Sequence, residues 1–139
     1  MTKRERVIAA IEGKKVDAIP SSFSLHFPKN QAVGDEAVAA HLKFFKETDT
    51  DIVKVMNEHL VPYYGMIRTP KDYYELIPSF SRNTNIIEDQ IEMTKKIMDG
   101  VDKDAFTMGT LHGMCASGIH PLEKMGEGYN YDQVRQMHR

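Results

Sequence analysis

The stretch Thr50-Asp51-Ile52-Val53-Lys54-Val55-Met56-Asn57-Glu58-His59 decides how the rest of this chain is read. Ile52, Val53, Val55 and Met56 suit a strand buried on both faces, because β-branched side chains pack well on a pleated surface and successive residues alternate sides. Lys54 is the one charge inside it, which predicts a side chain in a wet interior or one that snorkels out at an end. The run then stops at three groups able to handle protons or charge. Ligands in α/β folds gather at the carboxyl ends of parallel strands, so Asn57, Glu58 and His59 are the first candidates for a functional rim. A polar turn after an ordinary strand would read the same way. Neighbours on extended chain point to opposite sides, so Asn57 and His59 face the crevice if the strand continues, and Glu58 does if it turns there.

Working outward, the residues before this stretch predict a helix, a strand and a helix. Thr2 with Glu5 forms a capping box, Val7, Ile8 and Ile11 make one apolar stripe, and Gly13 supplies a stop. Ile19-Pro20-Ser21-Ser22-Phe23-Ser24-Leu25 alternates apolar and polar, a first strand with Pro20 where a missing N–H is tolerated, and His26 stands at its end. Asp35 can cap a helix with Val38, Leu42 and Phe45 on one face.

Beyond the stretch, Thr69-Pro70-Lys71-Asp72 starts a helix with Leu76 as its buried residue. Asn85 to Met98 carries Ile87, Ile91, Thr94 and Met98 on one helical face and exits at Gly100. Phe106-Thr107-Met108-Gly109 is a third strand, leading into Thr110-Leu111-His112-Gly113, where small residues let the backbone turn closely past a ligand. Strands alternating with helices imply βαβ units and a parallel sheet in a single domain over residues 1–139. Asn130 with Gln133 resembles one more capping box, opening a last helix.

Composition narrows the class of partner. The chain has 139 residues, 41% hydrophobic and 27% charged, with net charge −2 and both signs interspersed. That is no electrostatic footprint for nucleic acid or an anionic membrane, and no apolar run approaches a membrane span. One cysteine, Cys115, forms no internal disulfide, which agrees with a cytoplasmic setting. His112, Cys115 and His120 are the only His/Cys cluster, but their spacing matches no structural zinc pattern and no fourth ligand is evident. His112 is therefore read as a ligand-lining residue at a strand end, with no metal assigned.

The opening Thr2-Lys3-Arg4-Glu5-Arg6-Val7 to Gly13-Lys14-Lys15-Val16-Asp17-Ala18-Ile19-Pro20, followed by Thr50 to Glu58, resembles the N-terminal part of the uroporphyrinogen decarboxylase superfamily. That superfamily includes the haem-pathway decarboxylase and the zinc-dependent methylcobamide:coenzyme M methyltransferases. The resemblance covers essentially the whole chain and well under half of a full-length member. It implies the first three strands of a (β/α)₈ TIM barrel, a tetrapyrrole or corrinoid ligand, and, in a full-length protein, zinc held by later strands together with a corrinoid methyl donor. The family's essential aspartate falls on Asn57, with Glu58 next to it, so these two are the expected catalytic residues. His26, His59 and His112 are the expected substrate-binding ones.

The departures point to a branch. Where the decarboxylases clamp substrate propionates with arginines, this chain has Ser24-Leu25-His26-Phe27-Pro28-Lys29, without the bidentate guanidinium that carboxylates favour. Asn57 accepts a hydrogen bond but does not stabilise a developing positive charge as a carboxylate does. Both features favour the corrinoid-dependent methyltransferases over a true decarboxylase of porphyrin biosynthesis. The competing expectation is a non-catalytic remnant that buries its open sheet edges in a homo-oligomer.

Overall fold

The computed structural model describes residues 1–59, 64–79 and 85–113. The chain divides into two compact units, Met1–His59 with Glu88–Leu111, and Leu60–Ile87 with His112–Arg139.

In the first unit, α1 (Lys3–Ile11) begins in the expected capping box, and Gly13 follows its end at φ 69°. Glycine bears that left-handed conformation without the steric penalty of a Cβ. A 3₁₀ turn (Lys29–Gln31) precedes α2 (Gly34–Thr48), which leads through left-handed Asp49 into β1 (Ile52–Val55). After α4 (Asn85–Gly100) comes β2 (Phe106–Gly109), parallel to β1, with Ile52 beside Phe106 and Lys54 beside Met108.

The two faces of this sheet differ. Val53 and Val55 are buried with Ala37 and Phe45 of α2 and Met93 and Ile97 of α4, which makes one helix-covered core. Ile52, Lys54, Phe106 and Met108 alternate to the other face; Met108 is 42% exposed and the Lys54 Nζ donates to the Ser24 hydroxyl at 2.7 Å. The stretch is therefore buried on one face instead of two, and it ends one residue before Met56.

Its amino end is tied down by charge. Arg6 donates to Asp17 at 2.7 and 3.1 Å and to Asp51, whose other oxygen accepts the Ser21 N–H at 2.8 Å and the Ser21 hydroxyl at 3.1 Å. The paired carboxylates hold the Arg6 guanidinium well above its ordinary range, Asp17 first and Asp51 next. Asp104, also at this end, accepts the Lys3 N–H at 3.2 Å.

Several expectations are corrected. Ile19–Leu25 is not a strand: it reaches β1 through the Ile52 N–H bond to the Ser21 carbonyl at 3.1 Å, while the Ser21 N–H goes to the Asp51 side chain instead of a ladder and Pro20 has no N–H to give. Among the described residues the sheet thus has two parallel strands where three were expected. Asp35 sits inside the first turn of α2, where its charge suits the helix dipole, and Val33 holds the cap position without a side-chain bond.

On α4 the buried residues are Met93 and Ile97, whereas Ile87 and Ile91 are 39% and 48% exposed. The apolar residues of this helix form two stripes, and the sheet takes the one continued by Val101 beyond the helix end.

In the second unit, α3 (Pro70–Leu76) starts as expected, with Thr69 accepting the Asp72 N–H and Asp72 accepting the Thr69 N–H in return. Leu76 is 39% exposed and no residue of this helix is buried, because seven residues make too short a surface for a continuous apolar stripe. The capping box at Asn130 and Gln133 lies outside the described residues.

Candidate functional site

The carboxyl end of β1 is organised around Met56. Its N–H donates to Nε2 of His41 on α2 at 3.1 Å, and its carbonyl accepts from the Gln90 amide of α4 at 3.3 Å. Both polar groups of one backbone residue are therefore held by side chains from the two helices that cover the sheet. The Thr110 N–H donates to the Val55 carbonyl at 3.1 Å, which brings the end of β2 alongside.

After Met56 the chain turns. Asn57 Oδ1 accepts the His59 N–H at 3.1 Å, the side-chain-to-backbone bond that lets asparagine imitate a turn. Of the two orientations left open by the sequence, the turning one is realised. Glu58 is the residue brought across to the segment that follows Leu25, where its Oε1 lies 2.8 Å from Nδ1 of His26. The Glu58 side chain is 12% exposed and that of His26 is 87% exposed.

A carboxylate only accepts, so Nδ1 carries the proton in this pair and Nε2 of neutral His26 is left as a base facing outward. Such a carboxylate-oriented imidazole is suited to taking a proton from a bound molecule, or to returning one. His59 is held differently: its Nδ1 lies 2.7 Å from Gln90 Oε1, and the amide nitrogen of the same glutamine also reaches Thr94 Oγ1 at 3.2 Å. Gln90 thus fixes the ring of His59 and the carbonyl of Met56 together.

The five expected site residues separate into three arrangements. His26 and Glu58 meet. Asn57 and His59 share a turn, with Asn57 shaping the backbone. His112 follows β2 in the chain and belongs to the second unit. Cys115 and His120 lie outside the described residues, and among the described ones no three His, Cys, Asp or Glu side chains group as metal ligands. No helix among them is long and apolar enough to cross a membrane.

Two residues of the site were missed from the sequence. His41 falls within the stripe of Val38, Leu42 and Phe45, and Gln90 stands one turn before Met93 and two before Ile97. The signal was there in each case: a hydrogen-bonding side chain on an apolar helical face needs partners once buried. Just after β2, the Thr110 hydroxyl oxygen is buried and without a hydrogen-bond partner among the described residues.

No family model matches this chain, and no curated protein or solved structure matches it either.

Proposed function

We propose that this chain is a segment of a uroporphyrinogen decarboxylase-superfamily enzyme, nearer the corrinoid-dependent methyltransferases than the haem-pathway decarboxylase, and that the end of β1 binds a tetrapyrrole-like or corrinoid small molecule. The observation that carries this reading is the meeting of His26 with Glu58 beyond the carboxyl end of β1. Two stretches that the resemblance assigns to successive strand ends of a TIM barrel supply one oriented base. The sheet supports the same reading, since its helix-covered face and its Lys54-bearing face correspond to the outside and the wet inside of a barrel. In this reading His26 takes up or returns a proton, Glu58 orients it, Asn57 shapes the rim, and His59 lines the ligand. Zinc, where a full-length protein uses it, would be held by later strands.

The test is a spectroscopic titration with hydroxocobalamin and, separately, uroporphyrin. Saturable binding of hydroxocobalamin that weakens at least about tenfold, some 1.4 kcal/mol, in His26→Ala supports the reading. Tighter binding of uroporphyrin would return the decarboxylase to first place, and binding of neither would overturn both.

A further inference from the structure

His41 is fully buried in the middle of α2, an unusual position for an imidazole, and each of its nitrogens has a partner of fixed polarity. Nδ1 lies 2.7 Å from the Ala37 carbonyl, which can only accept, so Nδ1 carries a proton. Nε2 faces the Met56 N–H, which can only donate, so Nε2 is bare. The two partners together demand one neutral tautomer. The ring packs 4.6 Å from the Phe27 ring and 5.9 Å from the Phe45 ring, neither of which carries a polar group to replace these partners.

We propose that His41 is the positioning residue of this rim and its proton-controlled latch: neutral, it accepts the Met56 N–H and fixes the turn that presents Glu58 and His59; protonated at Nε2, it can only donate, and the turn is released. The latch deepens the proposed function by giving the same site a regulation, and it rests on that reading only for its biological use.

The groups around the ring set the direction of the response. Burial among Phe27 and Phe45 pushes the His41 imidazole below its ordinary range, while the Ala37 carbonyl and the charge of Glu58 act the other way. His26 pairs with that same carboxylate. From α4 the group that reaches Met56 is the uncharged amide of Gln90, which shares its acceptor with His59. Release therefore belongs to acid, below the pH at which a solvated histidine would protonate. Glu58 is both part of the rim and the charge that stabilises protonated His41, so the site and its latch are electrostatically linked.

Nitrogen-15 NMR of the full chain between pH 8 and pH 5 tests this without any ligand. The His41 Nε2 resonance should be that of an unprotonated ring nitrogen at pH 8. The amides of Met56, Asn57, Glu58 and His59 should then move in one acid transition whose midpoint equals that of the His41 ring. The transition should vanish in His41→Gln, which offers an acceptor that does not titrate, and persist in His26→Gln and His59→Gln.

A protonated Nε2 at pH 8, different midpoints for ring and Met56 amide, or loss of the transition in His26→Gln would each overturn the proposal. Should His41→Gln fail to fold, the comparison of midpoints in the unaltered chain still decides. Failure of hydroxocobalamin to bind would leave this transition untouched, so the two readings fail separately.

Discussion

His26 Nδ1 lies 2.8 Å from Glu58 Oε1 across 32 residues of sequence, with the carboxylate largely enclosed and the imidazole almost fully in solvent. A pair so exposed on one side contributes little to stability, about 0–1 kcal/mol at most, because water screens it and ordering the side chains costs entropy. Its value is orientation. His26→Ala and Glu58→Gln should each leave the unfolding midpoint nearly unchanged while weakening hydroxocobalamin binding about tenfold, or 1.4 kcal/mol. A double-mutant cycle that finds the two effects additive in binding would mean that the pair does not act as a unit.

Acid should destabilise the first unit in two stages with separate causes. His41 is held below its ordinary value near 6.5, so below that pH the unfolded chain takes up a proton that the folded chain refuses, and stability falls. Burial pushes Asp51 up, but the Ser21 N–H, Arg6 and the Ser21 hydroxyl outweigh it and leave the carboxyl below its ordinary value near 3.8. Its contribution is complete above that value and is lost as the pH falls further. Urea melts from pH 8 to pH 3 should therefore lose stability first below about pH 6.5 and again below about pH 4. His41→Gln should flatten the first stage and Asp51→Asn should reduce the second, which Asp17, held below its ordinary value by the bonds from Arg6, shares; a single stage unaffected by either change would contradict the assignment.

The packed face of α4 separates two isoleucines by position alone. Ile97 is fully buried against the sheet and Ile91 is 48% exposed. Truncating Ile97 to alanine should cost about 2–5 kcal/mol through lost transfer energy and a cavity, and truncating Ile91 less than about 1 kcal/mol. Equal costs in chemical denaturation would restore the face expected from the sequence.

That pair also marks how far the sequence could be read. Caps and turn chemistry are local, which is why Thr2 with Glu5, Thr69 with Asp72, and the span of β2 were legible from spacing. Which of two stripes on α4 meets the sheet is a tertiary choice made by Val53 and Val55, and α4 alone does not encode it. The strand expected over Ile19–Leu25 failed for a related reason, since a side chain 30 residues away, Asp51, took the Ser21 N–H that a ladder would have used. At the candidate site, residues with visible chemistry after a strand were legible as candidates. His41 and Gln90 were not, because they reach Met56 from helices 15 and 34 residues distant.

The face of the sheet opposite the helices leads to the last prediction. Parallel sheets are stable when both faces are covered, because both then exclude water from the strands. Here β1 and β2 put Ile52, Phe106 and Met108 on that face beside Lys54, with Met108 42% exposed, and Phe23 of the neighbouring segment is 57% exposed. Apolar surface in water forfeits about 25 cal/mol for each Å² left unburied, so a second copy that covers this face is favoured as concentration rises. Sedimentation equilibrium should show concentration-dependent self-association of the chain, with an apolar dye bound in dilute solution and displaced on association. Met108→Lys places a second cation directly beside Lys54 and should weaken self-association at least about tenfold, 1.4 kcal/mol, without changing the helical signal. A monomer at all concentrations that unfolds cooperatively and binds no dye would sink this prediction.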